Sequence, residues 1–279
     1  MRRAWRRFRR HKLGLFGLIV ILVLLLSSLL APMILPWDPY GVDLVKRYQA
    51  PSVHNLLGTD QLGRDILTRV IYAGRVSLMV GVFAVALQMA IGVILGLVSG
   101  LGGGWPDEII QRTVEVFLSF PSLILVFVFV AVFGPSLMNV ILSIGLFGWA
   151  FPCRLARGEV LSAREDEYVL AARAFGASSL RIALRHILPN IVAPLLVNAS
   201  LLAATAILYE ASLSFLGLGV QPPTPTWGMM LKVAQNPSTL KNYPWTWIPP
   251  GVMVSLLVIS VNFIGDAVRD ALDPRYSRG

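Results

Sequence analysis

Few residues in this chain could do covalent or metal chemistry, and their spacing forbids most of it. The three histidines, His11, His54 and His186, are scattered. The single Cys153 permits neither an internal disulfide nor a cysteine metal cluster. It sits in an apolar run, which suits a small packing residue. H-E-x-x-H and G-x-S-x-G do not occur. A phosphate-binding loop needs G-x-x-x-x-G-K-[ST], because backbone amides and a lysine must meet the phosphates. The four lysines follow His11, Val45, Leu231 and Leu240, never glycine. The chain therefore reads as a non-catalytic subunit that binds no cofactor and no metal. If it serves a pump, a separate polypeptide hydrolyses the ATP.

The chemistry that remains is mechanical, and it centres on residues 167–190, EYVLAARAFGASSLRIALRHILPN. Between Arg154 and His186 lie six arginines and four acids, Glu159, Glu165, Asp166 and Glu167. Each charge at mid-bilayer costs on the order of 2.5–3.5 kcal/mol, so the ten together cost about 25 kcal/mol or more and the strip cannot span. Yet it is built to be ordered. YVLAARAF is rich in helix formers. Gly176 permits the left-handed backbone that ends a helix. Ser178 or Ser179 suits the cap of a second helix, and Pro189 closes the unit. Ala171 and Ala172 allow close approach, while Val169, Leu170 and Phe175 give an apolar edge. By itself the composition leaves two readings open: an amphipathic loop lying on headgroups, or a knob that enters a socket on another subunit.

The elements that must position this strip follow from composition. Of 279 residues, 56% are hydrophobic and only 14% charged, against about 25% charged in a soluble domain. Mean hydropathy is +0.69. The class is an all-α, polytopic membrane protein. A span needs about 20 apolar residues, and six segments qualify: 13–35, 77–101, two within 116–153 divided at Gly134-Pro135, 187–209, and one from about 249 to 265. None shows the strict alternation of a membrane barrel. The first apolar stretch is longer than a signal peptide's and lacks an A-x-A site, which predicts a retained helix. Seventeen Lys and Arg fall on one side of this layout and seven on the other, so both termini are expected in the cytoplasm. The net charge of +9 is read as orientation and headgroup contact with membrane lipid, not as nucleic-acid binding. The organisation is then a tail 1–12, a first span 13–35, an extracytoplasmic segment 36–76, a core 77–270 and a tail 271–279. The core contains the cytoplasmic loop 154–189 and the outer loop 214–248.

Other positions draw attention. Ala84, Gln88, Gly92, Gly96 and Gly100 recur every four residues on one helix face, the pattern of close helix packing. Gln88 departs from it, since a mid-span amide wants a partner. Asn198 and Asn262 also lie inside spans; with Gln88 they are candidates for a translocation path, or the two asparagines pair. GGGWPDEIIQR (102–112) is a second cytoplasmic contact or a plain connector. Pro121 should kink the third span. Trp245 and Trp247 suit an aromatic belt. Glu210 is expected in a structural hydrogen bond before substrate contact.

The strip at 154–189 resembles the EAA loop of ABC-importer permeases, written E-A-A, three residues, Gly, nine residues, I-x-L-P. Ala171-Ala172, Gly176 and Leu188-Pro189 fall at that spacing, with Leu170 in place of Glu and His186 in place of Ile. LLGTDQLGRDILTRVIYAGRVSL (56–78), ASLSFLGLGVQPPTPTWG (211–228) and GDAVRDALDPR (265–275) look like the dipeptide/oligopeptide/nickel permeases, of the second-permease type with a short N-terminal tail. The resemblance implies a type I ABC-importer permease fold. It also implies coupling to an ATPase through Glu167, Val169, Leu170, Ala171, Ala172, Phe175, Gly176, His186 and Pro189. The implied partners are a second homologous permease, two ABC ATPases that use ATP and Mg, and an extracytoplasmic solute-binding protein. The implied location is a prokaryotic inner membrane, and the implied solute a di- or oligopeptide. Nickel or another small solute is an alternative within the family. A secondary transporter working alone is an alternative outside it, and would call for deep charges in the spans.

Overall fold

The computed structural model describes residues 7–35 and 38–272. Arg2, Arg3, Arg6, Arg275 and Arg278 of the charge count, and with them the ends of both tails, lie outside the described residues. The described chain is helical, with one isolated bridge between Thr59 and Asp65. Five helices are long and apolar enough to cross a membrane, or six if one bent pair counts as a span.

The first helix, α1 (Lys12–Ile34), begins where the His11 ring accepts the Gly14 N–H at 3.0 Å. It lies on the C-terminal helix α11 (Ile248–Leu272). The contact is close because Gly17 leaves no side chain between them: a methyl there would stand 2.5 Å from the Ser260 carbonyl. The outward leucines of α1, Leu22, Leu26 and Leu29 among them, are exposed, as lipid allows.

The central helix, α2 (Ile66–Gly102), has 37 residues, about 55 Å at 1.5 Å per residue. It starts well outside the uncharged run that marks its span. Two arginines in its N-terminal part bond to backbone: Arg69 donates to the Pro39 carbonyl at 2.8 Å and Arg75 to the Ser28 carbonyl at 2.6 Å. The Asp65 carboxylate caps it through the Thr68 N–H at 2.8 Å.

After α2 the chain turns at Gly103 (φ +61°) into α3 (Gly104–Ser119) and α4 (Ser122–Phe133). The two meet at 85°. Pro121 therefore breaks the helix outright instead of kinking a span. The helix beyond it has 12 residues, about 18 Å, short of the ~30 Å apolar core. Gly134 (φ +89°) then reverses the chain into α5 (Leu137–Phe147) and α6 (Ala150–Ala163).

The stripe on α2 packs against α6. A methyl at Gly92 would be 2.7 Å from the Pro152 side chain, at Gly96 2.6 Å from Ala156, and at Gly100 2.6 Å from Val160. Both helices step by four residues, so the contact is a small-residue seam and not a pore wall.

Around the N-terminal end of α2, residues 38–65 and the loop with α9 (Trp227–Leu231) and α10 (Pro237–Asn242) form one cap. Trp227 is buried and donates to the Val70 carbonyl at 2.8 Å. Tyr48 stacks on Tyr243 with centroids 4.0 Å apart, and Trp245 meets Tyr243 edge-on at 5.6 Å. Trp247 donates to the Leu240 carbonyl at 3.1 Å. Trp245 and Trp247 thus hold the cap together, beyond any role in a belt.

Candidate functional site

The charged strip folds as an elbow. α7 (Glu167–Ala174) ends in two reversed hydrogen bonds: the Ala177 N–H donates to the Ala172 carbonyl and the Gly176 N–H to the Arg173 carbonyl, both at 3.0 Å. This is the Schellman closure, and it places Gly176 at φ +78°. Ser178 then caps α8 (Ser179–Phe215), accepting the Arg181 N–H at 3.4 Å. α8 opens through a π-helical stretch, Ile182–Ile187.

Val169 plugs the elbow onto the rest of the chain. It is fully buried, packed with Val160 and Ala163 of α6 and with Ile182 and Ile187 of α8. The expected apolar edge therefore divides. Val169 points inward, while Leu170 is 49% and Phe175 92% exposed. Glu167, Ala171, Gly176 and Pro189 are also exposed, and Ala172 and His186 are half-buried. The His186 carbonyl accepts the Asn190 amide at 2.7 Å, and the same amide donates to the Tyr168 hydroxyl at 3.1 Å. That pair fastens α7 to the start of α8. Leu180 and Leu184 are also exposed, and line a hollow with Ile94 and Val98 of α2. Sequence reasoning passed over them, although their spacing of four along RIALRH's flank was the available signal.

Replacing Gly176 by alanine tests the turn. A methyl there meets nothing within 4 Å, so space is not limiting. The left-handed backbone is, and the expected loss is about 1 kcal/mol of local stability. Faster hydrogen exchange at the Ala177 amide is the readout.

The 102–112 connection is a clasp within the chain. Asp107 accepts two hydrogen bonds from the Arg157 guanidinium, both 2.6 Å, joining α3 to α6. Ser99 also donates to Asp107, and Gln111 donates to Ser99 at 3.0 Å. Arg164 reaches the Gly100 carbonyl at 3.3 Å. Bidentate pairs of this kind are among the stronger polar contacts. They tie the stem of the elbow to the C-terminal end of α2.

The three polar spanning residues fare differently. Gln88 is buried; its amide nitrogen donates to the Ile144 carbonyl at 3.0 Å, and its amide oxygen has no partner. It lines a hollow of about 310 Å³ at the α3–α4 break, with Pro121, Phe151 and Tyr209. Asn198 is buried with its oxygen likewise unpartnered, and lines a hollow of about 440 Å³ with Phe151, Pro194 and Arg269. Phe151 is a wall of both. Asn262 lines neither, and its amide donates to the Val258 carbonyl of its own helix at 3.0 Å. The two asparagines do not hydrogen-bond to each other. Glu210 is fully buried and accepts from Ser77 at 3.1 Å and Ser214 at 2.8 Å, a structural bond across helices.

Comparison with known proteins places this arrangement. The family described as binding-protein-dependent transport system inner membrane component matches residues 92–278. The N-terminal transmembrane domain of oligopeptide transport permease C matches residues 1–51. The dipeptide transport system permease protein DppC of Alkalihalophilus pseudofirmus is 42% identical over 274 residues, 98% of this chain and 90% of its own. The oligopeptide transport system permease protein OppC of Bacillus subtilis is 39% identical over 275 residues, 99% and 90%. Among solved structures, an inward-facing MetNI methionine ABC transporter chain superposes with TM-score 0.60 at 19% identity, covering 75% of this chain and 98% of that one. At that identity the likeness is one of fold.

Proposed function

The chain belongs to the family of binding-protein-dependent transport system inner membrane components, and on that footing we propose that it forms half of a peptide pathway driven by a separate ATPase. It is an integral membrane permease subunit. The relatives named for dipeptide and oligopeptide transport support peptides as the solute. In this reading the pathway crosses a prokaryotic cytoplasmic membrane, with both termini inside. A second homologous permease supplies the other half, two ABC ATPases hydrolyse ATP with Mg, and a solute-binding protein delivers cargo outside.

The observation that carries the reading is Phe175, 92% exposed on a turn whose other side is anchored by buried Val169. With exposed Leu170 on the same short helix-turn unit, the ring offers an apolar surface, and apolar patches of this kind mark contact sites. Uptake measured in vesicles with and without the ATPase tests it: transport that proceeds without the ATPase points to a secondary transporter.

Gln88 and Asn198 are assigned to the pathway because each buries an unpartnered carbonyl oxygen beside a hollow. Gln88→Leu and Asn198→Leu are each expected to cut peptide uptake about tenfold, the effect of roughly 1.4 kcal/mol. Asn262→Leu should leave uptake unchanged. Initial rates in proteoliposomes holding the full transporter decide between these outcomes.

A further inference from the structure

At the outer face two guanidiniums share one carboxylate. One oxygen of Asp60 accepts from Arg64 Nε at 2.7 Å, and lies 2.7 Å from Arg64 Nη2 and 3.6 Å from Arg69 Nε. The other accepts the backbone N–H of Leu62 at 2.8 Å and of Arg64 at 3.0 Å. The Arg64 and Arg69 side chains are only 12% and 5% exposed. The cluster therefore holds one positive charge in excess, nearly out of water, where an uncompensated charge is costly.

Arg64, Arg69 and Asp60 all line a cavity of about 600 Å³ between residues 47–69 and 222–246. Arg47 and Lys232 line it too, and neither is in an ion pair with any described residue. Three positive charges in excess thus face one hollow. The neighbouring acids do not offset them. Asp43 pairs with Lys46 at 3.1 Å. Asp65 accepts from Asn55 at 2.9 Å and caps α2. Neither lines the cavity. Its volume is that of a small-molecule site, which runs to roughly 300–1,000 Å³. Met229 and Val233 supply apolar wall, and Asn236 a neutral polar group.

We propose that this outer cavity binds the carboxylate of a small solute, as borne by the C-terminus of a short peptide or by a free organic acid. The peptide form rests on the function proposed above; the carboxylate chemistry does not. The shared Asp60 fixes the two buried guanidiniums in place, and the incoming carboxylate supplies the missing negative charge. Arg47 and Lys232 draw it in.

The test uses the full chain in its assembled transporter, without the solute-binding protein. Equilibrium binding of labelled trialanine is compared with that of trialanine amide and with competition by acetate. The free acid is expected to bind about tenfold or more tightly than the amide, as loss of a charge-assisted contact would give. The double variant Arg47→Ala/Lys232→Ala, at two exposed positions of which Arg47 rests on the Tyr48 ring at 5.3 Å and neither is in an ion pair with a described residue, should erase that difference. If acetate displaces trialanine as well as unlabelled trialanine does, any organic acid is the ligand; if it does not, the peptide is. Acid and amide binding equally, a double variant that binds as the parent does, or no binding of any probe would each overturn the site. A transporter that shows no ATP-driven peptide uptake, yet still binds acetate in a manner lost in the double variant, refutes the peptide reading and leaves the carboxylate site standing.

Discussion

Phe175→Ser is expected to leave the chain fully folded and to lower ATP-coupled uptake about 30-fold. The ring is 92% exposed, so its removal takes nothing from the interior of this chain. On the function proposed above, its contribution is made to the ATPase. Anchors of this type contribute about 2 kcal/mol or more at an interface, and 2 kcal/mol is close to 30-fold in a rate or binding constant. Two measurements are needed together: the melting temperature of the purified chain, expected unchanged, and peptide uptake by the reconstituted transporter, expected to collapse while the ATPase still hydrolyses ATP. Uptake at the parent rate would show that the elbow does not transmit force. Val169→Ser makes the contrast, because that side chain is wholly buried under the same elbow and its loss should lower the melting temperature first.

Gly96→Leu should have the larger effect on the chain itself, about 3 kcal/mol or more of destabilisation, at the upper end for an overpacked core. A methyl at this position would already stand 2.6 Å from the Ala156 side chain and 2.8 Å from the Cys153 carbonyl. The carbonyl belongs to a backbone that cannot swing aside, so α6 would have to leave α2. The elbow would move with it, since Arg157 and Val160 on the same helix hold the Asp107 clasp and the Val169 plug. Gly102→Leu is the control, with nothing within 4 Å of an added methyl. Melting in detergent separates seam from pore. A pore-lining Gly96 would tolerate leucine with normal stability and fail only in transport, whereas the seam predicts a lower melting temperature and poor recovery from the membrane.

Much of this protein was legible without coordinates. Its membrane class and all-helical fold follow from the cost of charge and of unpaired backbone in lipid. The end of α7 at Gly176 was readable because a left-handed turn is a local demand that glycine meets. The four-residue stripe on α2 announced a close contact, though not with which helix. The broken helix at Pro121 was half legible: proline removes a hydrogen bond, but the 85° that follows is set by the packing of α4 against α5.

Tertiary structure alone decided which side chains face in. It turned Val169 inward and Phe175 outward, joined Asp107 to Arg157 and Glu210 to Ser77, and set Arg64 and Arg69 on a single Asp60. In water an apolar stripe marks the buried face of a helix. In lipid the outward face is as apolar as the inward one, so that periodicity vanishes from the sequence. The orientation of each helix is then fixed by contacts between residues far apart along the chain, which no local pattern records.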